Sequence, residues 1–143
     1  IRFAGRDNAR TPMQWTDEPN AGFTTGAPWL AVNPNYREIH AQAQEKDPDS
    51  VLHFYRKLLK LRKGSAVVRE GDFVLLYPES EAVFAYTRQY ENETLCVLCN
   101  FTDRTIALPY PSPGGKCILW NYPEPAQAEA LRPYECVVRL ATK

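Results

Sequence analysis

The chain carries no surplus of charge: over 143 residues, 17 Lys and Arg are matched by 17 Asp and Glu. Proteins that hold duplex DNA or RNA draw much of their affinity from phosphate neutralisation and carry a basic excess, so no nucleic-acid partner is expected. Long apolar runs are missing too. The longest reach about five residues, far short of the ~20 that cross a bilayer as a helix, and no membrane partner is expected. No apolar segment follows a basic start, so no secretory leader is visible. The first residue is Ile1 and not Met, so the chain reads as part of something longer, whose remainder would hold a signal or catalytic groups. With hydrophobic residues at 44% and charged residues at 24%, disorder is excluded and one domain, or a small domain plus part of another, is expected.

A second metal-type motif is also lacking. The cysteines are Cys96, Cys99, Cys117 and Cys136, and Cys96-Val-Leu-Cys99 has the spacing of a zinc knuckle or redox pair. It sits, however, inside Thr94 to Phe101, an apolar and β-branched run that reads as a buried strand. Residues three apart on a strand face opposite ways, so these two thiols neither share a metal nor pair with each other. His40 and His53, with no ligand spacing around them, read as surface or packing residues. No metal site is expected. Free, buried, reduced thiols that behave as small hydrophobes point to a reducing, cytoplasmic location.

Three zones follow along the chain. Residues 1–46 are rich in Pro, Gly, Asn, Thr and Trp without a sustained period, and a loop that long is usually functional. Asp47-Pro48-Asp49-Ser50 then opens a helix, with Asp47 as N-cap and Pro48 at the first helical position. Val51, Leu52, Phe54, Tyr55, Leu58, Leu59 and Leu61 recur at three and four, and Gly64 stops the helix after a basic last turn. Its Lys and Arg stripe reads as a solvated edge and not a membrane face. The wide apolar face calls for cover. Alone, it predicts self-association or a disordered N-terminal third. From Ser65 the period becomes two. Residues 73–77, 83–87, 95–101, 105–108, 116–120 and 134–140 are strand candidates separated by turn clusters. That spacing predicts an antiparallel β-sandwich or barrel. The fold class is therefore mainly β, in two parts, residues 1–64 and residues 65–143.

The stretch that carries chemistry is Gly5-Arg6-Asp7-Asn8-Ala9-Arg10-Thr11-Pro12-Met13-Gln14-Trp15. Two arginines, an aspartate and an asparagine within five loop residues are costly to bury unless they bind one another or a polar ligand. An arginine fork matches paired acceptors, either a carboxylate or vicinal sugar hydroxyls. Trp15 and Trp29 would stack on sugar faces or anchor the loop. These residues leave a ligand-binding loop and a structural arginine–carboxylate clamp both open.

The run from Gly5 to Trp15, with Asn20-Ala21-Gly22-Phe23-Thr24-Thr25-Gly26-Ala27-Pro28-Trp29 and Val32-Asn33-Pro34-Asn35-Tyr36, resembles glycoside hydrolase family 13, in its oligo-1,6-glucosidase and α-glucosidase subgroup. Ser50 to Lys63 resembles that subgroup's last barrel helix. The resemblance is strongest over residues 5–63 and survives as pattern over the β region. It implies that residues 1–64 are the end of a (β/α)8 catalytic barrel, namely the active-site loop after strand 8 and then helix 8. Residues 65–143 would be the C-terminal all-β domain. It also implies a retaining mechanism with an aspartate nucleophile, a glutamate acid/base and a second aspartate. All three would lie upstream, so no catalytic residue is assigned here, and the fragment alone is expected to be inactive. The missing N-terminal barrel would be its partner within the same chain. No cofactor is implied in the fragment itself, and calcium use in the missing barrel is left open.

By the same resemblance, Arg10 reaches the non-reducing-end glucose in the −1 subsite, with Arg6 and Asp7 shaping that wall. Met13, Gln14 and Trp15 would pack under the loop. A charged bidentate donor there favours a terminal sugar with free hydroxyls and blocks a longer chain, so the reaction would be exo. The expected function is removal of α-1,6-linked, and also α-1,4-linked, glucose from the ends of an oligosaccharide substrate. Trehalose-6-phosphate hydrolase and sucrose isomerase of the same subgroup are the alternatives. Outside enzymes, two readings stand: the membrane-tethered ectodomain of an amino-acid-transporter-associated glycoprotein, and a carbohydrate-binding module. The sequons at Asn92 and Asn100 suit the former. The latter would need Tyr77, Tyr86, Trp120, Tyr122 and Tyr134 in an exposed row; they read instead as core and corner residues.

Overall fold

A computed structural model describes residues 7–108, 113–125 and 129–143. They fall into two compact units, Ile1–Arg56 and Lys57–Lys143.

The first unit is a loop framework with little regular structure. Short 3-10 turns occupy Asn8–Arg10, Pro19–Gly22 and Pro34–Arg37, followed by helix α1, Ala41–Lys46. The loop zone of the sequence thus holds a helix that its pattern concealed, because six residues without an apolar stripe give no period. Helix α2 is Val51–Gly64, of which Lys57 onward belongs to the second unit, and its start differs from the expected one. The Asp47 carboxylate is already engaged, accepting from the Asp49 N–H at 2.9 Å. The capping falls to Ser50, whose Oγ accepts from the His53 N–H at 3.4 Å and donates to the Gln44 carbonyl at 2.7 Å. Gln44 adds a second acceptor, its Oε1 taking the Leu52 N–H at 3.0 Å. Two of the orphan donors of the helix start are satisfied this way. The apolar face of α2 is open: Val51 is 70% and Tyr55 61% exposed.

The second unit is built on antiparallel strands. After α2 comes a short helix α3, Ala66–Glu70, where the period-two pattern predicts only extended chain. Arg69 secures it by donating to the carbonyls of Lys63 at 2.6 Å and of Arg62 and Ser65 at 3.2 Å. Five strands form one sheet in the order β1-β2-β3-β7-β5: β1 Asp72–Leu76, β2 Val83–Tyr90, β3 Glu93–Asn100, β5 Lys116–Trp120 and β7 Cys136–Thr142. Strands β4 (Ile106–Ala107) and β6 (Ala130–Leu131) pair as a second, two-stranded sheet. Val83, Ala85, Cys96, Leu98 and Val137 line one face of the large sheet and pack with Leu131 of β6, with Ile106 of β4 against them. That is the β-sandwich arrangement, sheet on sheet over one core.

Candidate sugar-binding loop

Arg10 ends the first 3-10 turn, and its N–H donates to the Asp7 carbonyl at 3.0 Å. Both side chains are exposed, and Pro12, two residues on, is buried. The chain is therefore anchored at Pro12, immediately after the exposed Arg10. Arg6, the other expected contact, lies outside the described residues.

The loop behind Arg10 is held by side-chain amides. Gln14 Nε2 donates to Asn35 Oδ1 at 3.0 Å and to the Ile39 carbonyl. The Gln14 and Trp15 carbonyls accept from Ala41 and Gln42 at the start of α1. Asn20, Ala21 and Gly22 all take positive φ, at 54°, 59° and 64°, a run that costs about 1–2 kcal/mol at each non-glycine residue. Hydrogen bonds hold it there: Trp15 N–H and Thr16 N–H donate to the Ala21 carbonyl, and Asn20 Nδ2 donates to the carbonyls of Thr24 and Gly26. A Cβ on Gly22 would lie 2.5 Å from Thr16 Oγ1. Backbone strain concentrated in one loop is typical of a site whose shape matters.

Of the residues expected to pack under this loop, Gln14 is partly buried and bonded, but Met13 and Trp15 each stay 51% exposed. Trp29 is 98% exposed, so it presents a whole indole face and anchors nothing within the described residues. His40 is buried, its Nδ1 3.0 Å from the Tyr36 carbonyl, and His53 Nδ1 lies 3.1 Å from both Ser50 Oγ and the Gln44 carbonyl. Both serve local structure.

In the β unit, the five aromatics do not form an exposed row. Tyr77 and Trp120 pack against the core, and Tyr122 donates its hydroxyl to the Pro133 carbonyl at 2.7 Å beneath the Arg132 guanidinium. Tyr86 is half-buried and Tyr134 stands exposed. A crevice of about 680 Å³ in this unit is lined by Lys57, Lys60, Leu61, Glu93, Leu119 and Leu140 among others. One carboxylate in its lining is not the pair that glycoside hydrolysis needs. Among the described residues no group of three His, Cys, Asp or Glu side chains is placed to hold a metal, and no helix is long and apolar enough to cross a membrane.

Sequence reading missed one arrangement. Cys99 and Cys136 face each other across β3 and β7, with Sγ atoms 3.2 Å apart. Pairing of these strands could not be read from spacing, and the only clue was that each cysteine sits at an end of its apolar run.

Comparison with known proteins finds two family matches along the chain. Residues 1–71 match the α-amylase catalytic domain, and residues 73–138 match the maltogenic amylase C-terminal domain. The chain is 42% identical over 138 residues to an oligo-1,6-glucosidase of Heyndrickxia coagulans, covering 96% of this chain and 25% of that protein. Among solved structures, the trehalose-6-phosphate hydrolase of Bacillus licheniformis superposes with a TM-score of 0.91 at 34% identity, over 97% of this chain and 27% of that one. An isomaltulose synthase from a Klebsiella species gives 0.90 at 36%, over 99% and 27%. The chain thus spans about a quarter of the length of the relatives it matches. With part of a catalytic domain followed by the C-terminal domain that accompanies it, the chain belongs to the α-amylase family of glycoside hydrolases.

Proposed function

We propose that this chain is the C-terminal part of a retaining, exo-acting α-glucosidase that cleaves α-1,6 bonds, and α-1,4 bonds as well, at the non-reducing ends of oligosaccharides. Residues 1–64 supply the last active-site loop and helix of the barrel, and residues 65–143 the β domain that accompanies it. The observation that carries the reading is the exposed Arg10 guanidinium at the end of an anchored 3-10 turn, in a chain whose relatives include oligo-1,6-glucosidases.

Arg10 acts by binding. Its planar fork donates two parallel hydrogen bonds to vicinal hydroxyls of the terminal glucose, or to a carboxylate that itself holds those hydroxyls. A cation at that position closes the pocket beyond the last sugar, so cleavage proceeds from chain ends. Asp7 and Arg6 shape the same wall. Bond breaking belongs to carboxylates outside this chain, so the 143 residues alone are inactive. We place the chain in the cytoplasm, the reducing setting that suits four cysteines set in apolar strand runs.

The test is the full-length enzyme assayed on isomaltose, maltose, sucrose, trehalose 6-phosphate and starch, with Arg10→Ala beside the wild type. Glucose release from isomaltose or maltose, and a drop of about a hundredfold in kcat/KM for Arg10→Ala, is the expected result. Cleavage of trehalose 6-phosphate alone, or conversion of sucrose to an isomer, would move the chain to the activities named for its structural neighbours. Internal cuts in starch would overturn the exo assignment.

A further inference from the structure

We propose that Cys99 and Cys136 form a dithiol site that a small-molecule disulfide oxidises to a cross-strand disulfide tying β3 to β7. The geometry argues it from three directions. The two residues are direct partners in the β3–β7 register. The neighbouring pair, Asn100 and Glu135, is bonded through Asn100 N–H to the Glu135 carbonyl at 2.8 Å. Hydrogen-bonded and non-hydrogen-bonded pairs alternate along an antiparallel ladder, so Cys99 and Cys136 occupy a non-hydrogen-bonded pair. There Cα atoms lie about 4.5 Å apart, within the span a disulfide takes. The thiols already meet, Sγ to Sγ, at 3.2 Å.

Selectivity comes from the two faces of the sheet. Cys96 is buried in the sandwich core and Cys117 packs against that core. Between them in the sheet lies Arg139 of β7, the register partner of both, so neither thiol has the other as a neighbour. Cys99 and Cys136 are on the opposite face, beside the 45% exposed Phe84, and both are half-buried. When one thiol of this pair ionises, the other's S–H donates to it. That eases the first ionisation, at Cys99, and holds the Cys136 proton more tightly.

The Cys99 thiolate attacks one sulfur of the small disulfide, forming a mixed disulfide and releasing one small thiol. Cys136 gives up its proton and attacks Cys99 Sγ, closing the protein disulfide and releasing the second small thiol. Two electrons and two protons leave the cysteine pair and reduce the small disulfide to two thiols. The closed loop contains β4, β5 and β6, so the bond constrains that whole part of the unfolded chain.

The experiment incubates the full-length folded protein with oxidised glutathione, traps remaining thiols with iodoacetamide, and maps peptides by mass spectrometry. The expected result is loss of these two thiols, a cross-linked peptide joining Cys99 and Cys136, and full alkylation of Cys96 and Cys117 after denaturation. Cys136→Ser should stop at a glutathione adduct on Cys99. If that variant does not fold, the wild-type peptide map decides alone. Cys99 and Cys136 both left free under excess oxidised glutathione would overturn the proposal. So would a cross-link through Cys96 or Cys117.

Discussion

Arg132 holds the carboxylate of Glu135, a side chain with no exposed surface, through its own backbone N–H at 2.8 Å and its Nε at 3.0 Å. The guanidinium also lies 4.0 Å over the Tyr122 ring. A buried charge is tolerated when paired and hydrogen-bonded, and is destabilising when its partner is removed. Glu135→Gln keeps the volume and one acceptor, so a loss of about 1–2 kcal/mol is expected in urea unfolding. Arg132→Met should be the more damaging change, because it strands the carboxylate. Equal effects from the two variants would show that the charge pairing matters little.

Gly71 is required by space and not by backbone angle. Its φ is −61°, open to any residue, but a Cβ would lie 2.5 Å from the Val67 carbonyl oxygen and 3.1 Å from Arg88 Cβ. That carbonyl already accepts from Gly71 N–H and Arg88 Nε, so it is held in place. Gly71→Ala should cost about 1–3 kcal/mol by forcing α3 off the sheet. Gly64→Ala, where nothing lies within 4 Å, is the control and should be neutral or slightly stabilising. Thermal midpoints of the two variants make the comparison.

Of the two sequons, only one is available for glycosylation. Asn92 is exposed in the β2–β3 turn. Asn100 is 3% exposed, and its carboxamide is fully used: Nδ2 donates to the carbonyls of Arg104 at 2.7 Å and Arg132 at 2.8 Å, and Oδ1 accepts from Thr102 N–H and Oγ1. Secretion from a glycosylating host should therefore place sugar on Asn92 alone, read by mass after glycosidase treatment. Asn100→Ala should cost about 1–3 kcal/mol, because it leaves buried carbonyls without donors.

How far the sequence was legible follows from where periodicity exists. Strands β1, β2, β3, β5 and β7 show alternation or an apolar run of strand length, and each lies within two or three residues of its expected bounds. Strand β6 is Ala130–Leu131, too short to carry a period, and α3 is built from Ala-Val-Val, which reads as extended chain until Val67 is buried against the sheet. In the loop, the concentration of charge from Arg6 to Arg10 was plain. The framework behind it was not, because Gln14 and Asn35 are joined across 21 residues with no pattern between them.

Cys96 makes the β domain sensitive to alkali. Burial pushes its thiol from the ordinary 9.0 up to about 11, only partly offset by Arg139. The unfolded chain therefore releases this proton first, so ionisation above about pH 9 favours unfolding until the folded thiol ionises as well near pH 11. Stability conferred by the neutral thiol is fully present below pH 9 and falls through that window. Burial also raises the pKa of Cys117, Tyr77 and Tyr86, and each adds to the slope in the same direction. Urea midpoints measured from pH 7 to pH 11 should decline above pH 9, and Cys96→Ala, although less stable at pH 7 for its lost packing, should decline less steeply. Parallel curves would mean that Cys96 does not ionise as the chain unfolds.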